Sequence, residues 1–541
     1  MSGILSIGQS ALNAAQVGLS VTGHNIANVN TPGYSRQVVV QAAAQAQNTG
    51  SGSIGQGTEI SGVSRTYNEI LASQLISSQS ASKAADTYNT QLTAINNMLS
   101  DASAGINPAM NNFFASVQDL SANPSDIPTR QTMLSNAQSL VNTLHSTGSR
   151  LNEISDSVNS QLSSSTGLVN VYARQIASLN DTIEKTVNAG AGQPNDLLDQ
   201  RDQLVLELSK QIKTTVVPQG QGSYNIYIGN GLPLVIGVTT MSLTTTGSST
   251  DPSRLEVAYQ SNGKSTVLGA SSLPGGAIGG LLQFRNESLD PAQSQIGQVA
   301  VALATDFNTQ HKLGIDLNGN AGTNLFNVPA PAINANSNNT GSASIAATIV
   351  DTSAMTSSDY RVDFDGTAYS VTRLSDGAIT TPVTFPQTID GLNYSISGTM
   401  AAGDQFIVRP TRNAATTMSV AISDARKLAI GSTTAPGDNT NGLLLAGLQS
   451  KTTMNNNTTS YSSAYGQLVN SIGNKSRELT VTAAAEAQVL TQNTASMQSE
   501  SGVNLDEEAA NLIRYQQAYQ AAGKMMQIAS QLFDTLLQIG K

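Results

Sequence analysis

Leu505-Asp-Glu-Glu-Ala-Ala-Asn-Leu512-Ile-Arg-Tyr515-Gln-Gln-Ala-Tyr519-Gln-Ala-Ala522-Gly-Lys-Met-Met526-Gln-Ile-Ala529 is the stretch that decides the fold. Leu505, Leu512, Tyr519, Met526 and Phe533 fall seven residues apart, and Tyr515, Ala522, Ala529 and Leu536 stand three residues after the last four of them. This is the a/d stripe of a paired helix, kept over about four heptads. Each large side chain fully buried on such a stripe contributes roughly 1.5–3 kcal/mol. Glu500, Asp506, Glu507 and Glu508 crowd the helix start, where negative charge meets the positive end of the dipole, and Lys541 stands at the other end. Periodicity alone fits an amphipathic helix on a globular core equally well, so the partner has to be sought elsewhere in the chain.

The opposite terminus offers one. Residues 4–27 read as a helix in which Leu5, Leu12 and Leu19 also recur every seven, with Ile4, Ala11 and Gly18 beside them and Ile7, Ala14 and Val21 on the adjoining row. The helix stops near Asn28, and Thr31-Pro32-Gly33-Tyr34 fits a type II turn, with Pro32 presetting φ and Gly33 taking the positive φ. Single helices of this kind are marginal in water, so both ends are expected to be poorly ordered in the free monomer and to fold on assembly.

Between the ends the pattern runs helix, then strand, then helix. Arg36–Val40 and Thr58–Ser64 read as a hairpin, and 68–100 as a helix marked by Ile70, Leu71, Leu75, Leu92, Ile95 and Leu99. Asn107-Pro108 opens a short helix that Asn123-Pro124 ends, and 126–212 carry long helical patterns. From Thr214 short runs such as Tyr224–Ile228 and Leu234–Ile236 read as strands, 280–311 as helix, and 340–412 as the clearest β block. Tyr360, Val362 and Phe364 alternate before Asp365-Gly366, and Tyr369 and Val371 after it, which predicts a hairpin with a two-residue turn within a small sandwich or barrel. Helices are expected again from Thr417, with a polar break at 431–441. The fold class is therefore α+β and multidomain: a coiled-coil-like helical rod from both chain ends with β-rich domains inserted in the middle. The expected division is 1–45 with 500–541 as paired terminal helices; 46–325 with 418–499 as a mainly helical domain, β-rich at about 213–275; and 326–417 as an outer β domain.

Composition narrows the function. Aromatic residues make up 4% and charged residues 11% of the 541, with no Trp and no Cys, so small side chains permit close helix approach but bury little area per contact. A net charge of −10 without any Lys/Arg run argues against a nucleic-acid partner and against an anionic membrane surface. The absence of Cys removes disulfide and thiolate chemistry. Met1–Gly8 lacks the basic and apolar regions of a secretory signal, and no run approaches the roughly 18 apolar residues of a membrane span.

The candidate chemistry has a plainer reading at each place. Gly50-Ser-Gly-Ser-Ile-Gly55 matches a phosphate-loop pattern, but an extended run follows where a helix is needed, so it reads as a hairpin loop. Asp316, Asn318 and Asn320 begin like a calcium loop, but Gly322 comes one position late and Asn327 replaces the closing Glu, which leaves a tight polar turn. His24, His145 and His311 have no ligand cluster and read as polar helix-surface residues. Asp196, Asp199, Asp202 and Glu207 surround Arg201 on one helix, which reads as a solvated, salt-bridged face. No catalytic constellation, metal site or cofactor is expected.

Two segments resemble a known family. Ser20-Val-Thr-Gly-His-Asn-Ile-Ala-Asn-Val-Asn-Thr-Pro-Gly-Tyr34 looks like the N-terminal motif of bacterial flagellar rod, hook and hook-associated proteins, and Gly502–Tyr519 like their C-terminal motif. Asn123–Arg130, Leu198–Leu204, Phe307–Gly319 and Gly437–Gly442 are similar to the hook-associated branch. The resemblance implies a non-enzymatic subunit that joins hook to filament; a hook or rod protein of the same family is the alternative. It also implies export through the flagellar type III apparatus without a cleaved signal, and a place in the extracellular flagellum. The implied partners are hook protein, the next hook-associated protein, other copies in a ring, and a cytoplasmic chaperone on the C-terminal helix. The candidate assembly residues are Leu5, Leu12, Leu19, Asn28, Asn30, Thr31, Pro32, Gly33 and Tyr34 at one end, and Leu505, Leu512, Tyr515, Tyr519, Met526, Phe533 and Leu536 at the other.

Overall fold

The computed structural model describes residues 2–48, 52–101, 105–190, 192–261 and 263–539. Helix α1 (Ser2–Ala27) leads through the Thr31–Tyr34 turn into β1 (Gln37–Ala43), which pairs antiparallel with β2 (Thr58–Arg65). The turn has the expected form: Tyr34 N–H donates to the Thr31 carbonyl at 3.2 Å and Gly33 has φ of 77°. Of the Gly50–Gly55 pattern, 50 and 51 lie outside the described residues. Ser53 and Ile54 pair with Asn48 and Gln47 as a second rung of the same hairpin, not as the entry to a helix.

Five helices follow or flank: α2 (Glu69–Leu99), α3 (Ile106–Ala122), α4 (Ile127–Asn188), α5 (Asn195–Gln211) and, after the first strands, α6 (Gly276–Phe284). Asn68 caps α2 by accepting from the N–H groups of Ile70 and Leu71, and Asp126 caps α4 by accepting from Thr129. At 62 residues α4 is the spine of the molecule, roughly 90 Å long at 1.5 Å per residue.

The strands after α5 belong to this helical body. β3 (Thr214–Pro218), β4 (Tyr224–Ile228) and β5 (Leu232–Ile236) form one small sheet, and β6 (Ser242–Ser248), β7 (Asp251–Ser261) and β8 (Lys264–Val267) another. Three asparagines of α4 hold their backbones. Asn180 bonds Tyr224 N–H and C=O at 3.2 and 2.8 Å, Asn170 bonds Leu243 at 2.8 and 2.7 Å, and Asn159 bonds Leu255 N–H and Ser253 C=O at 3.1 and 2.9 Å. A side-chain amide offers one donor and one acceptor at the right spacing to serve an otherwise open strand edge. The core is continuous from α2 through α6 and into both sheets.

A five-residue π turn at Arg285–Leu289 joins α6 to α7 (Asp290–His311). The chain then leaves for a separate β sandwich. β9 (Ala332–Ala335), β16 (Gln405–Arg409), β11 (Tyr360–Phe364), β12 (Tyr369–Arg373) and β13 (Ile379–Val383) form one sheet in that order; β10 (Ser344–Ile349), β15 (Leu392–Ser397) and β14 (Gln387–Ile389) form the facing one. Tyr360, Val362, Phe406 and Val408 meet Ile345, Leu392 and Tyr394 in its core. The β11–β12 turn is longer than the sequence suggests. Phe364 pairs with Tyr369, so residues 365–368 form the loop, and Asp365 closes it by accepting from the N–H groups of Thr367 and Ala368. That bond pattern turns the chain within the first three residues and leaves Asp365-Gly366 as the start of the loop only.

The return to helix also comes later than predicted. Only single turns and short elements, α8 (Ala414–Thr417) and α9 (Thr440–Gly447), occur before α10 (Tyr461–Ser501) and α11 (Leu505–Ile539). The intervening loops are held by polar anchors that a helical periodicity cannot reveal. Asp438 accepts from the backbone of Ser432, Thr433 and Thr440. Arg130 donates to the carbonyls of Pro124, Ala425 and Leu428.

Candidate assembly interface

Helices α1 and α11 pack antiparallel, and small residues set their distance. A Cβ on Gly8 would come 3.0 Å from Met526 Cγ, and one on Gly18 would fall 2.5 Å from the Tyr515 ring. Ala14 and Ala15 on α1 and Ala522 and Ala529 on α11 are buried in or beside the same seam. Leu5, Leu12 and Leu19 are half-buried, as are Tyr515 and Met526. The larger row of α11 faces elsewhere: Leu505 is 51% exposed, Leu512 38%, Tyr519 41% and Phe533 48%. Met525, Ile528 and Leu532 form a second exposed apolar flank. The side chain of Leu536 lies outside the described residues. The shared seam of the two helices is thus the row through Tyr515, Ala522 and Ala529, joined by Met526 from the larger row, because Gly18 makes room for Tyr515 and Gly8 for Met526.

The turn after α1 is a second, polar part of the interface. Asn30, Thr31, Pro32 and Gly33 are exposed, and Asn28 and Tyr34 are half-buried. Asn28 caps the helix end through His24 C=O at 3.0 Å and accepts from the Thr31 hydroxyl at 3.1 Å. Asn25, fully buried, bonds both backbone groups of Gln37, at 2.9 and 3.0 Å, and also accepts from the Tyr34 hydroxyl at 2.7 Å. With its proton given to Asn25, that hydroxyl can only accept from His24 Nδ1 at 3.0 Å. Burial, then Asp196, Asp199 and Glu508, push the Tyr34 phenol far above its usual range, so it stays a donor.

The turn is seated on α5, and here the charged residues differ from the sequence reading. Asp199 accepts from the Ser35 N–H at 2.9 Å and from Arg65 at 2.7 Å, and Arg65 reaches Asp202 at 2.7 Å. Burial works against the charge of Arg65, yet Asp202 and Asp199 hold its pKa above normal, while burial raises Asp202. Arg201 is not their partner. It turns to the other side, lies 3.3 Å above the Tyr224 ring centroid and donates to Asn180 Oδ1 at 3.1 Å. At Asp199 and Asp202 the face expected to be solvated is therefore a buried joint between the terminal segment and the helical body, while Asp196 stays exposed and Glu207 pairs with Lys210 at its edge. The three-residue spacing of Asp196, Asp199 and Asp202 signals one helix face; that Arg65, far away in sequence, would meet it has no local signal. Arg36 ties the joint to α11 through Glu507 and Glu508 and donates its N–H to the Ser501 carbonyl at 2.8 Å.

Two histidines also differ from the surface reading. His311 is fully buried, with Nδ1 donating to Thr323 C=O at 2.6 Å and Nε2 accepting from Ala429 N–H at 2.9 Å. His145 donates from Nε2 to Met418 C=O at 2.8 Å. Both join distant loops to the helical body. Asp316 accepts from the N–H groups of Asn318 and Asn320, both at 2.8 Å, which makes the expected polar turn. Among the described residues no group of His, Asp or Glu is placed to hold a metal, and no helix is long and apolar enough to cross a membrane.

Comparison with known proteins agrees with this layout. Residues 92–326 match the flagellar hook-associated protein FlgK helical domain, and 334–410 the flagellar hook-associated protein 1 D2-like domain. Residues 5–34 match the flagella basal body rod protein family, and 494–539 the C-terminal region of flagellar basal body rod FlgEFG proteins. Over the whole length of both chains, the sequence is 39% identical to flagellar hook-associated protein 1 of Escherichia coli strain K12. It is 25% identical to that of Bacillus subtilis strain 168, over 98% of this chain and 97% of the relative. The solved structure of the flagellar hook junction protein FlgK from Burkholderia pseudomallei is similar with a TM-score of 0.75 and 31% identity, over 79% of this chain and all of the other.

Proposed function

Because the chain belongs to the flagellar hook-associated protein 1 family, we propose that it is built into the hook–filament junction through its α1–α11 pair. It is a structural subunit of the flagellum and not an enzyme. The matches at its two ends are to rod-type regions shared along the axial structure; the hook-associated matches cover the middle, and this separates it from a hook or rod protein proper.

One observation carries the assembly mechanism. The α1–α11 seam is made of Gly and Ala with Tyr515 and Met526 set against the glycines, while Leu505, Leu512, Tyr519 and Phe533 remain half-exposed. A soluble chain does not leave such a row bare without a surface to cover it. Neighbouring copies in a ring are the proposed cover, with hook protein on one side and the next hook-associated protein on the other. The same row suits a cytoplasmic chaperone before export through the type III apparatus, which needs no cleaved signal and leads to an extracellular position. In the free subunit the pair is the least stable part, since its large row stands half in solvent and single helices are marginal in water.

Deleting residues 505–541 tests this. The truncated chain is expected to stay soluble and folded while failing to enter flagella. Filaments that still attach to the hook with the truncated subunit in place would overturn the mechanism.

A further inference from the structure

We propose that the β sandwich is a rigid arm, held at one angle to the helical body by a ladder of alternating charges and a tight seam on α7. The ladder is continuous. Arg285 meets Glu256 at 3.3 Å, Glu256 meets Arg254 at 3.0 Å, and Arg254 bonds Asp290. Asp290 meets Arg412 at 3.2 Å, Arg412 meets Asp359 at 2.7 Å, Asp359 meets Arg409 at 3.6 Å, and Arg409 meets Asp251 at 3.1 Å. Asp359 and Arg409 belong to the sandwich, and Arg412 lies in the turn that follows its last strand. Asp251, Arg254, Glu256, Arg285 and Asp290 belong to the helical body. The ladder therefore crosses the boundary twice, at Arg412–Asp290 and at Arg409–Asp251.

Every side chain in the ladder is at least four-fifths buried, and the charges balance. Rotating the sandwich would part Arg409 from Asp251 and Arg412 from Asp290, and would leave buried charges without partners. Breaking a buried pair costs far more than forming it gains, so the ladder works mainly by forbidding other angles. The seam beside it reinforces this. Gly297 of α7 lies so close to the Thr411 carbonyl that a Cβ would fall 1.8 Å from it. Thr411 donates to Ser294 C=O at 2.8 Å, Gln298 to Met355 C=O at 2.6 Å, and Thr352 to Asp306 at 2.8 Å. Val301, Met355 and Ala414 pack together under them.

A chain without Cys allows clean spin labelling. Labels on Ser139→Cys (α4) and Ser395→Cys (β15), both exposed, report the distance between body and sandwich in the full-length protein. One narrow distance distribution is expected, unchanged in 0.5 M salt because the ladder is buried. Arg412→Gln is expected to widen it at least twofold with the far-UV spectrum preserved. If Arg412→Gln fails to fold, Asp251→Asn, at the ladder's end, serves in its place and is expected to widen it less. A broad distribution in the labelled parent, or no widening in a folded ladder variant, would overturn the rigid-arm proposal.

Discussion

The β sandwich and the α1–α11 pair make opposite use of their apolar residues. In the sandwich, Tyr360, Val362, Leu392, Tyr394 and Val408 are wholly enclosed between two sheets. Along the pair, the enclosed residues are the small ones, and the large ones stand half in solvent. A closed core stabilises the free subunit; an open stripe stabilises only the assembly that covers it. One chain thus carries a region whose apolar core is closed within the subunit and a region whose large apolar residues stand half in solvent, the row proposed above to be covered in the assembly.

The sharpest way to break that contrast is to damage the closed core. Tyr360 is fully buried; its hydroxyl donates to Asp390 at 2.8 Å and, with its proton so used, accepts from the Thr356 hydroxyl at 2.8 Å. Tyr360→Ala is expected to lower sandwich stability by about 3–5 kcal/mol, the usual cost of removing a buried aromatic ring. Denaturant titration should detect the loss in the free subunit, without any need for assembly. A loss below about 1 kcal/mol would mean that the sandwich, too, depends on partners.

Much of this division was legible in the sequence. Seven-residue spacing at both ends, the Thr31–Tyr34 turn and the alternation at Tyr360–Phe364 lead to the helix–β–helix order and to a sandwich in the middle. What periodicity could not decide is which row of α11 faces α1. Side-chain size argues for one large row, but the closest helix approach comes where glycines of α1 make room for Tyr515 and Met526, one from each row of α11, and that depends on both helices at once. The pairing of Arg201 with the aspartates, a place that Arg65 takes, fails for a related reason: a charge finds its partner across the fold, and spacing along one helix shows only which charges share a face. His311 looked like a surface residue because no local pattern marks the loops, near Thr323 and Ala429, that bury it.

His311 gives a middle-sized effect confined to the closed part. Its Nε2 accepts a backbone N–H, so protonation would set two donors against each other. Burial accordingly lowers its pKa below the usual value of about 6.5. The unfolded chain then binds this proton more readily than the folded one. The contribution is fully present above about pH 6.5 and is lost as pH falls through that value toward the lower folded pKa. Thermal unfolding of the helical body should shift to lower temperature between pH 7.5 and 5.5, and His311→Gln should reduce that shift. An identical pH dependence in the variant would remove His311 as its source.

The smallest effect on the free subunit should accompany a large effect on assembly. Leu512→Ala and Phe533→Ala remove side chains that are already 38% and 48% exposed. Only about half of each side chain is buried in the free subunit, so each change should cost about 1–1.5 kcal/mol in the monomer, well below the loss in the closed core. In the assembled flagellum the same positions are proposed to be covered by neighbours, so the full burial of each side chain is forfeited there, at every copy in the ring. Monomer melting and incorporation into flagella should therefore separate: near-normal unfolding with a tenfold or greater fall in incorporated subunit. If incorporation fell no further than monomer stability predicts, the exposed row would be an ordinary helix surface, and the α1–α11 seam alone would have to carry assembly.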